Sequence, residues 1–493
     1  MPLNVGDSVP SLEISGKVKV QMAEGPENAT AVGIPVRPGG DLPPSSDLDW
    51  SDLEIAGFSG APGESFAVVR PGAPTLVLTG VGEGEVGASR FREAGAALAR
   101  TATRHSRLAF DLSGWEGSLP TQAVVEGVLL ARYRYDVLKK EPSVTAVESL
   151  TFFGGDPQHV EEGIRVGKVM AEAQMVARDL ANDPPAVLTA ARLADVASNL
   201  GQQRGLDVEV FDERALLEMG CGGLLGVNAG SAEPARMIKL TYRPPGAAGH
   251  HLTLVGKGIT YDAGGISLKP ADEVHATMKN DMSGAGAILA AMLALGDLGC
   301  PNTVVGYLMC TDNRPSGTAL AMGDVIRIRG GKTVEVANTD AEGRLVMADA
   351  LVLATESPTD AIVDIATLTG AAMRALGTQV AGLIGNDQDL VDQVEEASRR
   401  TDESVWQLPL ERRYRKQLDS SVADIKNLGG PNAGAITAAL FLEEFVDGTP
   451  WAHIDIAGTA QNDEDVSWRP PGCTGFGARL LTELALSFEP TGR

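Results

Sequence analysis

The run Leu252-Thr253-Leu254-Val255-Gly256-Lys257-Gly258-Ile259-Thr260-Tyr261-Asp262-Ala263-Gly264-Gly265 opens as a short apolar strand, Leu252 to Val255. It continues into a glycine-rich segment ending at Lys269-Pro270. Ser283 to Leu298 follows as an apolar helix, with Ser283 placed to cap it, and Thr303 to Cys310 as a largely apolar strand. Nearly continuous apolar strands separated by helices predict a mainly parallel sheet covered on both faces. In such sheets, sites gather at the carboxyl ends of strands.

The same alternation extends on both sides. Downstream, Arg344 to Thr355 reads as a helix, Ala361 to Leu368 as a strand, Ala435 to Val446 as a helix and Trp451 to Ala457 as a strand. Val325 to Arg329 and Thr333 to Ala337 read as a hairpin around Gly330-Gly331. Upstream, Leu188 to Leu200 is helical with Thr189 as N-cap, and Leu206 to Phe211 and Arg236 to Tyr242 are strands. Glu161 to Ala181 is one long helix, stopped by Asp183-Pro184-Pro185. Before it, Thr75 to Thr79, Leu108 to Leu112 and Ser143 to Phe153 are strands, while Ala88 to Arg104 and Thr121 to Asp136 are helices. The expected fold class is α/β, with two α/β domains. Residues 1–160 form the first, 161–185 a linker helix and 186–493 the larger domain, with a mainly parallel central sheet flanked by helices.

Bulk properties limit the function classes. The 493 residues are 43% hydrophobic and 22% charged, which is globular. A net charge of -24 opposes a primary nucleic-acid or anionic-membrane partner. Cys221, Cys300, Cys310 and Cys473 are scattered without a C-x-x-C pair and read as buried thiols of a reducing compartment. The first 18 residues lack a basic segment followed by an apolar one, and no 18-residue apolar run occurs. A cytoplasmic protein with no membrane partner is expected.

Two features look functional and read as ordinary. Gly82-Glu83-Gly84-Glu85-Val86-Gly87 fits a dinucleotide fingerprint, yet its two glutamates would face a pyrophosphate. It reads as a glycine-rich turn into a helix. His275 is an exposed loop histidine rather than a ligand, and none of the six histidines has zinc-site spacing.

The chemistry concentrates elsewhere. In Asn338-Thr339-Asp340-Ala341-Glu342-Gly343-Arg344-Leu345, two carboxylates and a guanidinium stand at alternate positions. An extended segment would place them on one face, where the paired acids call for a cation. Asp262 lies within the glycine-rich segment, and Asp281 lies just before the Ser283 helix, near its positive end. Four carboxylates, Asp262, Asp281, Asp340 and Glu342, would be balanced by two divalent cations; such oxygen ligands suit Mn²⁺, Mg²⁺ or Zn²⁺.

With these residues in view, the chain resembles the leucyl aminopeptidase (cytosol aminopeptidase) family of dinuclear metallo-exopeptidases. The matching motifs are 338–345, 255–270, Met278 to Met282, Asp179-Leu180 with Asn182 to Leu188, Ala366 to Ala371, Ala433 to Ala438 and Trp451 to Gly458. The resemblance spans about residues 175–490 and is faint over the first 150. It implies that Lys257, Asp262, Asp281 and Glu342 hold one metal, and Asp262, Asp340 and Glu342 the other. Asp262 and Glu342 would bridge, and the Asp340 carbonyl would contribute. Lys257 would then be a neutral ligand, Lys269 would polarise the substrate carbonyl, and Arg344 would hold a bicarbonate as general base. It also implies Mn²⁺ or Zn²⁺ as the metals, peptides with a free N-terminus and preferably leucine or another apolar first residue as substrates, and a homohexamer. Met278 and residues 367–372 are candidates for the side-chain pocket. One departure is an extra residue within Pro270 to Thr277, read as a surface-loop insertion. The competing readings are a non-catalytic DNA-binding or regulatory role, opposed by the acidic charge, and a two-metal phosphatase, which would not need Lys257.

Overall fold

The computed structural model describes residues 9–490 apart from 27, 142, 247 and 248. Residues 1–8, part of the stretch read for a leader, lie outside the described residues. The chain divides into two compact units, one of residues 9–175 with 462–472, the other of residues 176–461 with 473–490. The unit boundary falls inside the helix Pro157–Asn182. Residues 462–472 group with the first unit, an excursion that a single boundary along the chain does not provide for.

The first unit is built on a six-stranded sheet. Its spatial order is Lys19–Met22, Ser149–Phe153, Arg107–Asp111, Ala31–Val36, Thr75–Gly80, Ser65–Val68. All neighbours are parallel except the last pair. Helices Ala88–Thr101 and Leu119–Arg132 pack tightly on each other; a Cβ on Gly127 would lie 2.2 Å from the Arg92 carbonyl oxygen. The Gly82 to Gly87 segment is a turn leading into the first of these helices, with Gly82 and Gly84 at positive φ. Residues 10–55 also contain the helices Pro10–Lys17 and Trp50–Ile55.

The second unit holds an eight-stranded sheet, ordered Val405–Gln407, Ala381–Gly385, Trp451–Asp455, Ala361–Ala366, His251–Asp262, Thr303–Asn313, Arg236–Tyr242, Asp207–Phe211. Its four central strands are mutually parallel, and antiparallel pairings occur only outside them. The fold is therefore α/β with mostly parallel sheets flanked by helices. Thr189 caps its helix through Oγ1, which accepts from Arg192 N–H. The hairpin turns at Gly330 and Gly331, both at positive φ.

Three local expectations need correction. The central strand extends over His251–Asp262, well past Val255. Gly256 and Gly258 lie inside it rather than in a loop, because the packing there needs their bare Cα atoms. A Cβ at Gly256 would come within 2.9 Å of Ala285 in the helix Ser283–Leu298. Ser283 does not cap that helix, since its hydroxyl donates to the Asn280 carbonyl. The helix is entered instead through a continuous 3₁₀ turn, Met278–Met282. Residues 338–342 are not extended; they form a turn that runs into the helix Gly343–Thr355. Met278–Leu298 is long and apolar enough to cross a membrane by composition, but it is 83% buried inside the unit, as a core helix is.

Candidate metal centre

The strand His251–Asp262 sits where the sheet changes direction of growth. The chain leaves it through the helix Ser283–Leu298 to the neighbour Thr303–Asn313, and later returns on its other side as Ala361–Ala366. The carboxyl ends at such a switch point form a crevice. Lys257 and Asp262 come from this strand, and Asp281 from the 3₁₀ turn before the helix. Asp340 and Glu342 come from the turn before the helix Gly343–Thr355.

The seven sequence-derived residues assemble within the second unit as a cluster plus one neighbour. Oxygens of Asp262, Asp340 and Glu342 lie within 4.8 Å of one another. Lys257 Nζ is 2.8 Å from both Asp281 carboxylate oxygens, 2.8 Å from Glu342 Oε1 and 2.8 Å from the Thr367 carbonyl. Lys269 Nζ is 2.8 Å from Asp262 Oδ2 and 2.6 Å from Asp340 Oδ1. Lys257, Asp262, Asp281 and Glu342 are buried, whereas the Asp340 side chain is 33% exposed. The opening therefore lies on the side of Asp340 and Lys269. Arg344 is buried in the first helical turn and donates through Nη1 to the Asn427 carbonyl, while its Nε–H has no partner.

The turn carrying Asp340 and Glu342 is held by side chains rather than by strand pairing. Asp340 N–H donates to Asn338 Oδ1 at 2.8 Å, an Asx turn. The Asn427 amide accepts from the N–H groups of Ala337 and Asn338 and donates to the carbonyls of Asn338 and Ala341. Thr339 Oγ1 donates to the Gly264 carbonyl and accepts from Ser267 N–H, tying this turn to the loop that carries Lys269.

Electrostatics show what the cluster lacks. Burial, then Glu342, pushes the Asp262 carboxyl up to about 6. Burial raises Asp281 well above the ordinary carboxylate range and raises Asp340 as well. Burial opposes the charge on Lys257, but Asp281, Glu342 and Asp262 outweigh it and hold the ammonium above its usual range. Two ammonium groups leave four carboxylates with a formal -2, and buried like charges shift each other toward neutrality. Among the described residues, Asp281 Oδ2 and Asp340 Oδ1 face only the ammonium groups of Lys257 and Lys269. Converging carboxylate oxygens that carry an uncompensated negative charge fit hard divalent cations.

Three residues of the site lie outside the seven. Asn427 and Asn313 carry no motif signal, although Asn313 follows an apolar strand at its carboxyl end. Thr367, grouped with the pocket by sequence, donates from Oγ1 to Asp281 Oδ1 at 2.8 Å and so serves the cluster. His275 Nε2 lies 3.0 Å from the Tyr261 hydroxyl in a loop containing the short helix Glu273–Ala276.

Comparison with known proteins agrees with this geometry. Residues 175–482 match the family model for the cytosol aminopeptidase family, catalytic domain, and residues 51–142 that for its N-terminal domain. The chain belongs to the cytosol aminopeptidase family. A probable cytosol aminopeptidase of Chlorobaculum tepidum is 45% identical over 436 residues, covering 84% of this chain and 86% of the relative. One from Aquifex aeolicus is 41% identical, covering 91% and 93%. The solved structure of the bottromycin maturation enzyme BotP in complex with Mn superposes with a TM-score of 0.85 at 39% identity, covering 93% of this chain and 99% of that one. Membership in the cytosol aminopeptidase family supports a metal-dependent aminopeptidase activity on peptide substrates.

Proposed function

We propose that this cytosol aminopeptidase removes N-terminal residues, preferably leucine and other apolar ones, through a two-metal centre. Lys257, Asp262, Asp281 and Glu342 would hold one cation, and Asp262, Asp340 and Glu342 the other. The observation that carries this reading is the buried lysine set among four carboxylates, Lys257 Nζ lying 2.8 Å from both Asp281 and Glu342. A phosphatase needs the acids but not an amine ligand. The two cations, Mn²⁺ or Zn²⁺, would supply an activated water and an anchor for the free α-amine.

The chain's own groups divide the remaining work. Lys257 must be neutral to coordinate, and the Thr367 carbonyl retains one of its N–H groups and so orients the lone pair. Lys269, at the open side, is placed to polarise the scissile carbonyl and stabilise the oxyanion once its carboxylate partners are committed to cations. Arg344, with its unpartnered buried Nε–H, would anchor a bicarbonate, whose chemistry is that of a general base. The BotP complex with Mn supports manganese, and the names of the relatives support a cytoplasmic location. Homohexameric assembly follows from the family resemblance and is checked by sedimentation mass.

The test combines metal analysis with a substrate panel on one sample, with Glu342→Ala as control. Two equivalents of metal and turnover of leucine anilide but not of a phosphoester are expected. Metal-loaded protein inert toward every free-amino peptide would end the proposal.

A further inference from the structure

The strand Thr303–Asn313 runs in regular parallel register beside His251–Asp262 until its last residues. Thr311 pairs with Ile259, but Asn313 pairs with Asp262, so the register shifts by one residue between them. A bulge of this kind turns side chains off the normal alternation and recurs beside active sites. Here it sets Asn313, 5% exposed, against the carboxylate cluster. Asn313 Nδ2 donates to Asp262 Oδ1 at 2.9 Å and to the Thr339 carbonyl at 3.0 Å, and lies 3.4 Å from Glu342 Oε2. Two N–H groups thus serve three acceptors, one of them shared.

We infer that Asn313 is the positioning residue of the metal centre, orienting the two carboxylates that both cations share. The inference rests on the two-metal reading above. Asp262 and Glu342 approach from different elements, a strand end and a helix start. Each can rotate about its terminal bond. Among the described contacts, Asn313 is the neutral donor that reaches both carboxylates at once. It also reaches the carbonyl just before Asp340, so all three acids of the converging group are referred to one amide. Its Oδ1 faces Gly265, closely enough that a side chain added there would come within 2.8 Å. Gly265 has φ +62°, which suits glycine there on backbone grounds too. A neutral amide suits the role. It donates without adding charge to the centre, and a cation at that place would compete with the metals. Partners of this kind orient metal ligands, and their loss commonly weakens binding 10- to 100-fold.

The test uses full-length wild type, Asn313→Ala and Asn313→Asp, each stripped and reloaded with Mn²⁺. Binding stoichiometry and affinity are read by calorimetry, and the exchange coupling of the Mn²⁺ pair by electron paramagnetic resonance. Asn313→Ala is expected to weaken Mn²⁺ binding about 10- to 100-fold and to alter the coupled spectrum, while metal-free melting changes little. Asn313→Asp keeps the shape but replaces a donor with a third negative neighbour, so its coupled spectrum should also change. If the Ala variant fails to fold, the Asp spectrum alone decides. Wild-type affinity together with an unchanged coupled spectrum in the folded variants would overturn the inference. Failure of wild type itself to bind two metals would instead overturn the two-metal reading.

Discussion

Gly343 shows how a residue without a side chain decides a site. A Cβ there would lie 2.6 Å from Lys257 Cε, 2.8 Å from Cδ and 2.9 Å from Nζ. The Lys257 side chain is packed on every side and cannot yield cheaply. Gly343→Ala is expected to lower Mn²⁺ affinity and activity by about 100-fold, the upper end of what disturbing a ligand's surroundings costs. Calorimetric titration with Mn²⁺ reads the loss, and unchanged affinity would show that Lys257 has room to move. Asp262 makes a second prediction of opposite sign for stability. Its folded carboxyl is raised to about 6 from an ordinary 3.8, so metal-free folded protein binds more protons than the unfolded chain across that window. Metal-free stability from this group therefore falls as pH rises from about 4 to about 6. Asp262→Asn removes that liability. In chelator, the variant should melt above wild type at pH 7, by on the order of 3 kcal/mol, with the gap closing near pH 4. It should also fail to bind metal. A gap independent of pH would contradict the assigned cause. At this scale the site was largely legible, because Lys257, Asp262, Lys269, Asp281, Asp340, Glu342 and Arg344 fall in compact motifs. Asn427 was not, because it acts on residues some 90 positions away through its amide alone.

Elements show a different balance. Apolar runs marked the sheet strands well, as with the antiparallel Arg236–Tyr242 and the parallel Ala361–Ala366. They marked badly where glycine replaced a side chain inside a strand, as at Gly256 and Gly258 in the strand His251–Asp262. Glycine reads as a loop by propensity, yet here it lets the helix Ser283–Leu298 approach. The alternation argument for residues 338–345 reached residues that do converge, Asp340 and Glu342, but through the wrong geometry, since a turn and a helix start, not an extended strand, align them. In the first unit, helices Ala88–Thr101 and Leu119–Arg132 interlock at Gly95 and Gly127, and the buried Arg92–Glu126 pair joins them at 2.7 Å. Gly127→Val would force the helices apart and should cost about 1–3 kcal/mol, read as a lowered urea midpoint. No shift would mean that the helices separate without loss of packing.

For the molecule as a whole, the two-metal reading predicts that metal binding and stability are linked. The cluster gathers charge that burial disfavours, and cations held there would relieve it. Chelation should lower the melting temperature, and Mn²⁺ at 100 times its dissociation constant should restore about 2.7 kcal/mol. Zinc or manganese giving no stabilisation at saturating concentration would argue against a cation centre in the folded state. The acidic balance bears on partners. At a net -24 the chain should show no salt-resistant retention on duplex DNA, and specific retention surviving Asp340→Ala would revive a non-catalytic role.

Taken alone, the sequence determined the α/β alternation, the residues that converge in the carboxylate cluster and the family to which they point. These depend on local composition and on motifs short enough to read along the chain. The tertiary structure alone decided that Lys257 passes over Gly343, that Thr367 and Asn427 brace the cluster, and that a register shift turns Asn313 onto Asp262 and Glu342. Those contacts join residues 29 to 110 positions apart. They depend on register and on how closely two backbones approach, and neither quantity is carried by the period of a sequence.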